Sequence, residues 1–441
     1  MRKLTRFGLV IVLLMTGCQF KPPAIKLPIK LPFAAPQVQT ACPGQTIGIL
    51  IGADDDPIAI EQRAGYELAL QEINADGGPG GCQLSLVYEA ETSTGSQNQI
   101  HKAVRALVED DKAIAILGGT ASSASMHAAS LVNYFATPLI IPATSGSHVL
   151  PNENHWAYRL NATDTIIGSA IIDLVKQELG AGKKFTIVFE DSTQGHDIAF
   201  NVANLLTLYE QQLVGYFPYE TESTDFGELT DAIAESKPDI LYLVLSQPED
   251  ARALMEAINN SDMPLPLMTF AHGGGFLSED FLFTEEGEID PLAENLIIAK
   301  QWTRESDTKA GKAVLQAFAE YDDKNDQETQ PPSVYNLAAY KSLHVVAAAL
   351  ATGLDNNIVT WSDAAKIREI LRQELSSYQE DSAFWGAIDF DTGGQDQASV
   401  ALIQILDGEA VVVYPLDDAD QSPVINLSAL EEATPTPTPN P

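Results

Sequence analysis

The chain repeats one arrangement of apolar and polar positions. A short, continuous apolar run is followed by a loop rich in Gly, Ser or Asp, and then by a segment in which apolar residues recur every three or four positions. After the run at residues 47–51, for example, the apolar positions i, i+3, i+4 and i+7 are Tyr66, Ala69, Leu70 and Ile73. Strands that are apolar throughout are buried on both faces, so this alternation predicts parallel strands separated by amphipathic helices.

The arrangement restarts after residue 180, with apolar runs at residues 185–189 and 240–245. Two such series predict an α/β fold of two doubly wound parallel-sheet lobes. Near the carboxyl end, apolar runs at residues 400–406 and 409–413 flank Asp407-Gly408, a pair favoured in two-residue type I′ turns. We therefore expect an antiparallel hairpin at the edge of one sheet.

The first residues have the pattern of a secretory signal. A basic start precedes an apolar run that is too short to span a bilayer. The run leads into Leu14-Met15-Thr16-Gly17-Cys18, which resembles the lipobox of bacterial lipoproteins. The resemblance implies a signal peptide over residues 1–17 and a lipid on Cys18. The alternative is that Cys18 belongs to an ordinary signal peptide that is discarded.

The segments that flank the body of the chain are rich in proline. Repeated Pro between residues 18 and 41 favours an extended polyproline II conformation, which predicts a tether behind the lipid anchor. Lysines beside a lipid favour an anionic membrane surface. At the other end, alternating Thr and Pro predict a disordered tail over residues 429–441.

Composition narrows the class of protein. Of the 441 residues, 45% are hydrophobic, which suffices for two lobes with their own cores. The chain carries 61 Asp and Glu against 25 Lys and Arg, a net charge of −36. This charge excludes a nucleic-acid partner, because neutralising phosphates needs a basic surface. The acidity is typical of a strongly solvated surface, and attraction of a cationic ligand is the alternative.

Two cysteines remain in the body of the chain. Cys42 and Cys82 each precede an apolar run, so they lie side by side if the two strands are parallel neighbours. A signal peptide directs the body to an oxidising compartment, where we expect a Cys42–Cys82 disulfide. Two independent buried thiols are the alternative.

The candidate site lies in the loops that follow the predicted strands. Ligands of open α/β sheets bind beyond the carboxyl ends of the strands, where helix N-termini offer unpaired N–H donors. Ser122 and Ser123 stand just before a predicted helix, where they could contact a ligand or cap the helix. The candidate loops are residues 52–57, 118–123, 142–147, 190–196, 246–249 and 270–275.

Four motifs occur in the order and spacing of one known family. They are EINADGG (residues 72–78), LGGTASS (117–123), PLIIPATS (138–145) and YRL (158–160) followed by Asp164. Over about residues 45–405 the chain resembles the type I periplasmic ligand-binding proteins of the leucine/isoleucine/valine-binding branch. Members of that branch are extracellular partners of ABC importers.

The resemblance implies two lobes that are joined by three crossovers and close on one small molecule. The crossovers are expected near residues 156–161, 302–303 and 384–387. The implied lobe 1 comprises residues 42–161 and 302–386, and the implied lobe 2 comprises residues 162–301 and 387–428.

The resemblance also implies how lobe 1 contacts its ligand. In the family, contacts with an amino-acid carboxylate come from the loops that correspond here to residues 117–123 and 138–145. By position these contacts are Ser122, Ala143, Thr144 and Ser145, which offer hydroxyls and backbone N–H groups. A helix N-terminus independently favours a carboxylate, because its partial positive charge and free donors converge there.

The second lobe departs from the family pattern. Gln194 stands where an aromatic residue often covers the ligand, and Gln247 lies near a position where a Tyr is missing. Together with His272, these residues predict a polar, hydrogen-bonding pocket rather than an aliphatic one. For His272, a loop histidine without ligand contact is the alternative.

The acidic partner of a ligand ammonium is also missing from its expected place near residues 271–272. A buried ammonium without a carboxylate is costly, so an α-amino acid is not assured as the ligand. Asp54, Asp55, Asp56 or Glu91 of lobe 1 could substitute. The alternative for the Asp run is a solvated loop.

The chain has no motif typical of catalysis, metal binding or cofactor binding, so we expect no enzyme, no metal and no cofactor. We interpret it as a monomeric, extracytoplasmic lipoprotein, anchored to the cell membrane. It would capture a small polar metabolite, such as an amino acid or related amide, and deliver it to an ABC permease. The alternative is a lipoprotein that uses the same fold as a sensor or protein-interaction regulator, without transport.

Overall fold

The computed structural model describes residues 42, 44–91, 96–223, 225–284, 286–300, 309–325, 332–356, 361–382, 386–397, 400–415 and 420–426. All of them belong to the compact unit Ala41–Pro441. The predicted signal peptide, Cys18, the tether, the Thr/Pro tail and the second crossover lie outside the described residues, as does part of the third crossover.

Strands form where the sequence has short apolar runs, many of them rich in Val and Ile, which pack well on a pleated surface. They are β1 (Gln45–Ile51), β2 (Leu84–Ala90), β3 (Ala115–Gly118), β4 (Leu139–Ile141), β5 (Ala157–Arg159), β6 (Lys184–Glu190), β7 (Gln212–Tyr219), β8 (Ile240–Val244), β9 (Met268–His272), β10 (Leu296–Lys300), β11 (Gln379–Ser382), β12 (Gly386–Asp389), β13 (Ala401–Leu406) and β14 (Glu409–Tyr414).

Helices lie between the strands, and several have polar caps that satisfy the free N–H groups of the first turn. The side chain of Thr163, for example, accepts from the N–H of Ile166. The helices are α1 (Pro57–Ala75), α2 (Gln97–Arg105), α3 (Ser122–Phe135), α4 (Asp164–Leu179), α5 (Thr193–Leu208), α6 (Gly227–Ser236), α7 (Pro248–Asn260), α8 (Gly274–Leu277), α9 (Glu279–Leu282), α10 (Lys309–Lys324), α11 (Val334–Asn356) and α12 (Ala364–Leu375).

Lobe 1 is built on a parallel sheet with the strand order β2-β1-β3-β4-β5. Helices α2 and α3 cover one face, and α1, α10, α11 and α12 cover the other, which explains why its strands are apolar on both sides. Helix α11 is long and apolar enough to cross a membrane, but 72% of its most apolar 18-residue stretch is buried within the protein. It is a core helix of lobe 1.

Lobe 2 is built on a sheet with the order β14-β13-β10-β9-β8-β6-β7. The strands from β10 to β7 are parallel, and α4 and α5 cover one face while α6 and α7 cover the other. The prediction of an α/β fold with two parallel-sheet lobes is confirmed. The hairpin is confirmed too: β13 and β14 pair antiparallel at the sheet edge, and Asp407 and Gly408 have the positive φ values of a type I′ turn.

The disulfide predicted between Cys42 and Cys82 is present, with their Cα atoms 5.3 Å apart. It forms because β1 and β2 are parallel neighbours whose starts are in register, with Gln45 opposite Leu84. The two cysteines therefore meet at one edge of the lobe 1 sheet, next to the strand starts.

The chain leaves the lobe 1 sheet at β5 and enters lobe 2 at α4, where the sequence predicts the first crossover. Arg159, at the end of β5, is 2% exposed. Its Nε donates to Oε1 of Gln395 at 2.6 Å, and its Nη1 donates to the carbonyl of Gly146 at 2.5 Å. Burial lowers the pKa of Arg159 to about 10, against the opposing effect of the nearby Asp164 and Asp391 carboxylates. A buried, multiply bonded cation thus fixes the crossover.

The close contact of α1 with α11 yields a prediction. A Cβ on Gly65 would lie 2.1 Å from the carbonyl oxygen of Asn336, a backbone atom that cannot move without separating the helices. We expect Gly65→Ala to lower the free energy of unfolding by about 1–3 kcal/mol, the range of overpacked cores. Thermal melts check this, with Gly227→Ala in α6 as the control, where the nearest atom belongs to a side chain. Equal melting temperatures for the two variants would contradict the helix contact.

Candidate functional site

The carboxyl edge of the lobe 1 sheet is held together by a buried hydrogen-bond network. Thr120, in the loop after β3, accepts through Oγ1 from the N–H of Gly52 at 2.9 Å, and so ties this loop to the one after β1. The same hydroxyl donates to Oε1 of Gln62 on α1 at 2.9 Å. Gln62 is fully buried, and its Nε2 has no hydrogen-bond partner among the described residues.

Glu91, directly after β2, reaches into the same loop. Its Oε1 accepts from the N–H of Ala121 at 2.8 Å, and its Oε2 accepts from the N–H of Thr120 at 3.0 Å. The residue is 4% exposed, and burial raises its pKa to about 7, although the two N–H donors oppose this shift. Both oxygens thus accept from backbone N–H groups, and contact of Glu91 with a ligand ammonium, one of the possibilities raised by the sequence, stays a prediction.

The Asp run after β1 is likewise engaged. Asp54 forms an ion pair with Arg63 at 2.9 Å, and its side chain is 95% exposed. Asp56 caps α1, because its Oδ1 accepts from the N–H of Ile58 at 3.0 Å. The interpretation of the run as a solvated loop, with one helix cap, therefore fits these contacts.

Helix α3 begins at Ser122, and its N-cap residue is Ala121, with no side-chain cap. The alternative that Ser122 or Ser123 caps this helix is therefore wrong. The preceding N–H groups find acceptors in Glu91 instead. Ser122 lies against the loop after β4, since a Cβ on Gly146 would be 3.1 Å from the Ser122 Oγ.

The loop after β4 carries the other predicted lobe 1 contacts. Thr144 is 3% exposed, and its Oγ1 has no hydrogen-bond partner within the described part of the chain. The carbonyl of Ala143 accepts from Nδ2 of Asn161 at 3.2 Å, and the carbonyl of Ser145 accepts from the N–H of Asp164 at 2.9 Å. The structure thus places these three residues in the loop that lies against Ser122, and the Thr144 hydroxyl has no partner among the described residues.

This loop also contacts lobe 2, which the sequence did not predict. The Ser147 Oγ lies 3.0 Å from Oγ1 of Thr165 in α4, and Nδ2 of Asn201 in α5 donates to it at 3.4 Å. The sequence does not indicate which partner a hydroxyl or amide side chain will bond, so these contacts could not be predicted. These contacts, with the Arg159 bond to Gly146, join the loop to both the crossover and lobe 2.

In lobe 2, Glu190 at the end of β6 has a role like that of Glu91. It is 3% exposed and accepts from the Ser192 hydroxyl at 2.6 Å and from the Ser246 N–H at 3.0 Å, and it also accepts from the Ser246 hydroxyl. Gln194, the second residue of α5, and Gln247, the N-cap residue of α7, are exposed at this same sheet edge. Both lie where a ligand entering between strand ends could meet them.

His272 has hydrogen-bond partners on two other elements of lobe 2. It ends β9 and is 5% exposed, with Nδ1 2.8 Å from the Tyr242 hydroxyl and Nε2 3.3 Å from Oδ1 of Asp164. Since Asp164 accepts and the phenol can donate, both ring nitrogens are used inside the protein. His272 therefore links β8, β9 and the start of α4, and the ligand contact predicted for it stays a prediction.

Tyr335, which the sequence did not single out, lies between the lobes. A Cβ on Gly274 of lobe 2 would be 3.0 Å from its hydroxyl. Nearby, Glu61 accepts from the Ser333 hydroxyl at 2.6 Å. Burial raises the pKa of Glu61, and the charges of Asp280 in lobe 2 and Asp56 in lobe 1 add to the effect. The gap between the lobes is therefore narrow and acidic at this point.

No group of three or more potential metal ligands occurs among the residues that the structure describes. The site consists instead of backbone N–H groups, hydroxyls and amides between two α/β lobes. Such a site is suited to hydrogen bonding a small molecule.

The fold and this site define a class of two-lobed binding protein. Residues 50–410 match the periplasmic binding protein family, and the chain belongs to that family. Membership implies a location outside the cytoplasm. The chain is similar to the Leu/Ile/Val-binding protein homolog 7 of Brucella abortus, with 23% identity over 370 residues, which are 81% of this chain and 88% of the relative.

Solved structures share the fold. The branched-chain amino acid transporter substrate-binding protein LivJ of Streptococcus pneumoniae, in complex with isoleucine, superposes with a TM-score of 0.65 at 21% identity, and the match covers 83% of this chain and 97% of that one. A solute-binding protein of R. palustris in complex with benzoate has a TM-score of 0.65 at 16% identity, with 84% and 95% of the chains covered. These relatives are binding proteins, not enzymes.

The variant His272→Phe distinguishes an internal structural role of His272 from direct contact with a ligand. His272→Phe keeps the ring but leaves the Asp164 carboxylate and the Tyr242 hydroxyl without their partner, so we expect it to lower the free energy of unfolding by about 2–4 kcal/mol. Urea titrations of the ligand-free protein measure the loss, with His155→Phe at an exposed position as the control. Unchanged stability combined with weaker ligand binding would instead support the contact predicted from the sequence.

Proposed function

We propose that this protein is an extracytoplasmic solute-binding lipoprotein that captures a small polar metabolite between its lobes. The observation that carries the proposal is the Thr144 hydroxyl, which is buried and has no hydrogen-bond partner among the described residues, in the loop that lies against Ser122 of α3. A buried hydroxyl without a partner is costly. A ligand oxygen would relieve that cost.

The ligand group that suits this position is a carboxylate. The N-terminus of α3 carries partial positive charge, and the hydroxyls of Ser122, Thr144 and Ser145 can donate to an anion there. Backbone N–H groups near Ala143 add to the donor set. The names of the relatives, which include Leu/Ile/Val-binding and amino acid binding proteins, support an amino acid or a related amide.

Lobe 2 supports a polar ligand. Gln194 and Gln247 offer amide groups at its sheet edge, whereas His272 and Glu190 are engaged inside the lobe. The benzoate complex of the R. palustris protein shows that this fold also holds a carboxylate without an ammonium group. The ligand therefore does not need an α-amino group.

The family and the amino-terminal sequence support a role in delivering the ligand to a membrane transporter. We propose that Cys18 carries a lipid, that residues 18–41 tether the body to the membrane, and that the monomeric receptor passes its ligand to an ABC permease. The Cys42–Cys82 disulfide supports export, because such bonds persist in oxidising compartments.

A thermal-shift panel tests the proposal. The purified mature protein is heated with each of the twenty L-amino acids, their amides, benzoate and spermidine. A receptor should show a higher melting temperature with one class, since a ligand that binds only the folded state stabilises it by mass action. If every compound leaves the melting temperature unchanged, the sensor or interaction-regulator alternative is favoured.

Thr144→Val tests the role of the buried Thr144 hydroxyl, the observation on which the proposal depends. Valine has the same shape, so removing an unpaired buried hydroxyl should leave the ligand-free melting temperature unchanged or raise it. Affinity for the ligand found by the panel should fall about 10–100-fold, the worth of one hydrogen bond to a charged group. Calorimetry measures this, with Thr137→Val as a matched control, since Thr137 is fully buried but donates to the Phe135 carbonyl. Unchanged affinity in Thr144→Val would contradict the proposed site.

The double variant Ser122→Ala with Ser145→Ala tests the other two hydroxyls. If both donate to a ligand carboxylate, its dissociation constant should rise at least tenfold, because each such bond contributes about 1.5–3 kcal/mol. Equilibrium dialysis with a radiolabelled panel ligand gives the constant. A ratio near one would show that the carboxylate is held elsewhere.

A further inference from the structure

We propose that Glu91 is a positioning residue that holds the loop before α3 in its ligand-receptive geometry, and that it couples capture of an anionic ligand to the uptake of a proton. The inference rests on the proposed function, because it concerns the same carboxylate site. It assigns a role to a residue that would not itself touch the ligand.

The geometry supports positioning. Residues 119–121 present three successive N–H groups: that of Gly119 donates to the Ser125 Oγ at 3.1 Å, and the next two donate to Glu91. All three are therefore satisfied inside lobe 1 and not by a ligand. The loop leads directly into Ser122, so its conformation fixes where the first hydroxyl of the site points.

Glu91 is also closely packed against the loop before α3. A Cβ on Gly119 would lie 2.1 Å from Oε2 of Glu91, so a larger residue at position 119 would displace the carboxylate. Gln62 adds a fully buried amide whose Nε2 has no partner among the residues described. The carboxylate thus occupies a tight, polar interior position immediately behind the candidate site.

The charge of Glu91 couples ligand binding to proton uptake. An ionised Glu91 offsets the positive end of α3 and repels a second carboxylate nearby, whereas a protonated Glu91 does neither. The charged and titratable groups that act on it are Asp56 at the start of α1, whose charge raises its pKa, and Tyr66 on α1. Burial, the dominant cause, raises the pKa of Glu91 to about 7, so its charge changes near neutral pH.

The sign of the effect follows. A ligand carboxylate disfavours ionised Glu91, so the bound state holds its proton to a higher pH than the free state. If the ligand raises the pKa by about one unit, binding at pH 7.5 takes up about half a proton, and affinity at pH 8 is about fivefold weaker than at pH 6. Neither effect is expected for a purely structural carboxylate.

The test uses the native mature protein with L-leucine, L-glutamine and benzoate as probes. Calorimetry at pH 6 and pH 8 gives the affinities, and titrations at pH 7.5 in phosphate and in Tris give the protons taken up. We expect weaker binding at pH 8 and uptake of about half a proton. Equal affinity at both pH values, with no proton uptake, would overturn the coupling.

Two variants separate charge from position. Glu91→Gln keeps one acceptor and cannot titrate, so its affinity should be independent of pH and within about threefold of the native value at pH 6. Glu91→Ala removes both acceptors, so amide exchange in a peptide covering residues 118–124 should become at least about tenfold faster and affinity should fall at both pH values. Glu89→Gln, two residues earlier in β2, is the matched control and should behave as native. Persistence of the native pH dependence in Glu91→Gln, or of native exchange in Glu91→Ala, would overturn the proposal.

The proposed function and this inference fail in different ways. If no probe and no panel compound binds, the proposed function is contradicted, and the coupling falls with it. If a probe binds with the same affinity at pH 6 and pH 8, only the coupling is contradicted. The exchange measurement on the ligand-free protein judges the positioning role in either case.

Discussion

The site depends on one recurring interaction, a glutamate at a strand end that accepts from the backbone of a neighbouring loop. Loops at the carboxyl edge of a sheet expose N–H groups that burial would leave unpaired. In lobe 1, Glu91 accepts from Thr120 and Ala121, and in lobe 2, Glu190 accepts from Ser246. Each bond crosses from one strand's loop to another, so the loops keep a fixed relation before any ligand arrives. Preorganised loops of this kind lower the entropy lost on binding.

A second consequence concerns how the lobes communicate. The loop after β4 carries Thr144, and its next residues are bonded to Arg159 at the crossover, to Asp164 at the start of α4 and to Thr165 in α4. A change at the unpaired hydroxyl therefore acts on a segment that is already attached to lobe 2. Closure of two lobes about a crossover needs such a direct mechanical connection, because interfaces rearrange between discrete packings and do not deform smoothly.

The sequence predicted the architecture because strand burial and helix periodicity are local properties. It also pointed to Ser122 and Thr144 through motif order, and their ligand contacts stay predictions. It could not predict that Arg159 meets Gln395, because the two residues are 236 positions apart and come together only once both segments are folded. It could not predict the partners of His272 for a related reason: a polar residue at a strand end suggests a ligand contact, but Tyr242 and Asp164, which bond its ring, lie on other elements.

The acidic surface and a carboxylate ligand are compatible because they act over different distances. At physiological ionic strength, charges are screened beyond about 8 Å, so most of the net charge of −36 has little effect inside the cleft. Within that distance, the hydroxyls and the end of α3 are the proposed donors to the ligand, and Glu91 is a carboxylate bonded to the loop before α3. A protein can therefore repel other acidic macromolecules at long range and still accept one small anion. The protonation state of Glu91, a single buried carboxylate, then affects the binding of that anion more than the many exposed carboxylates do.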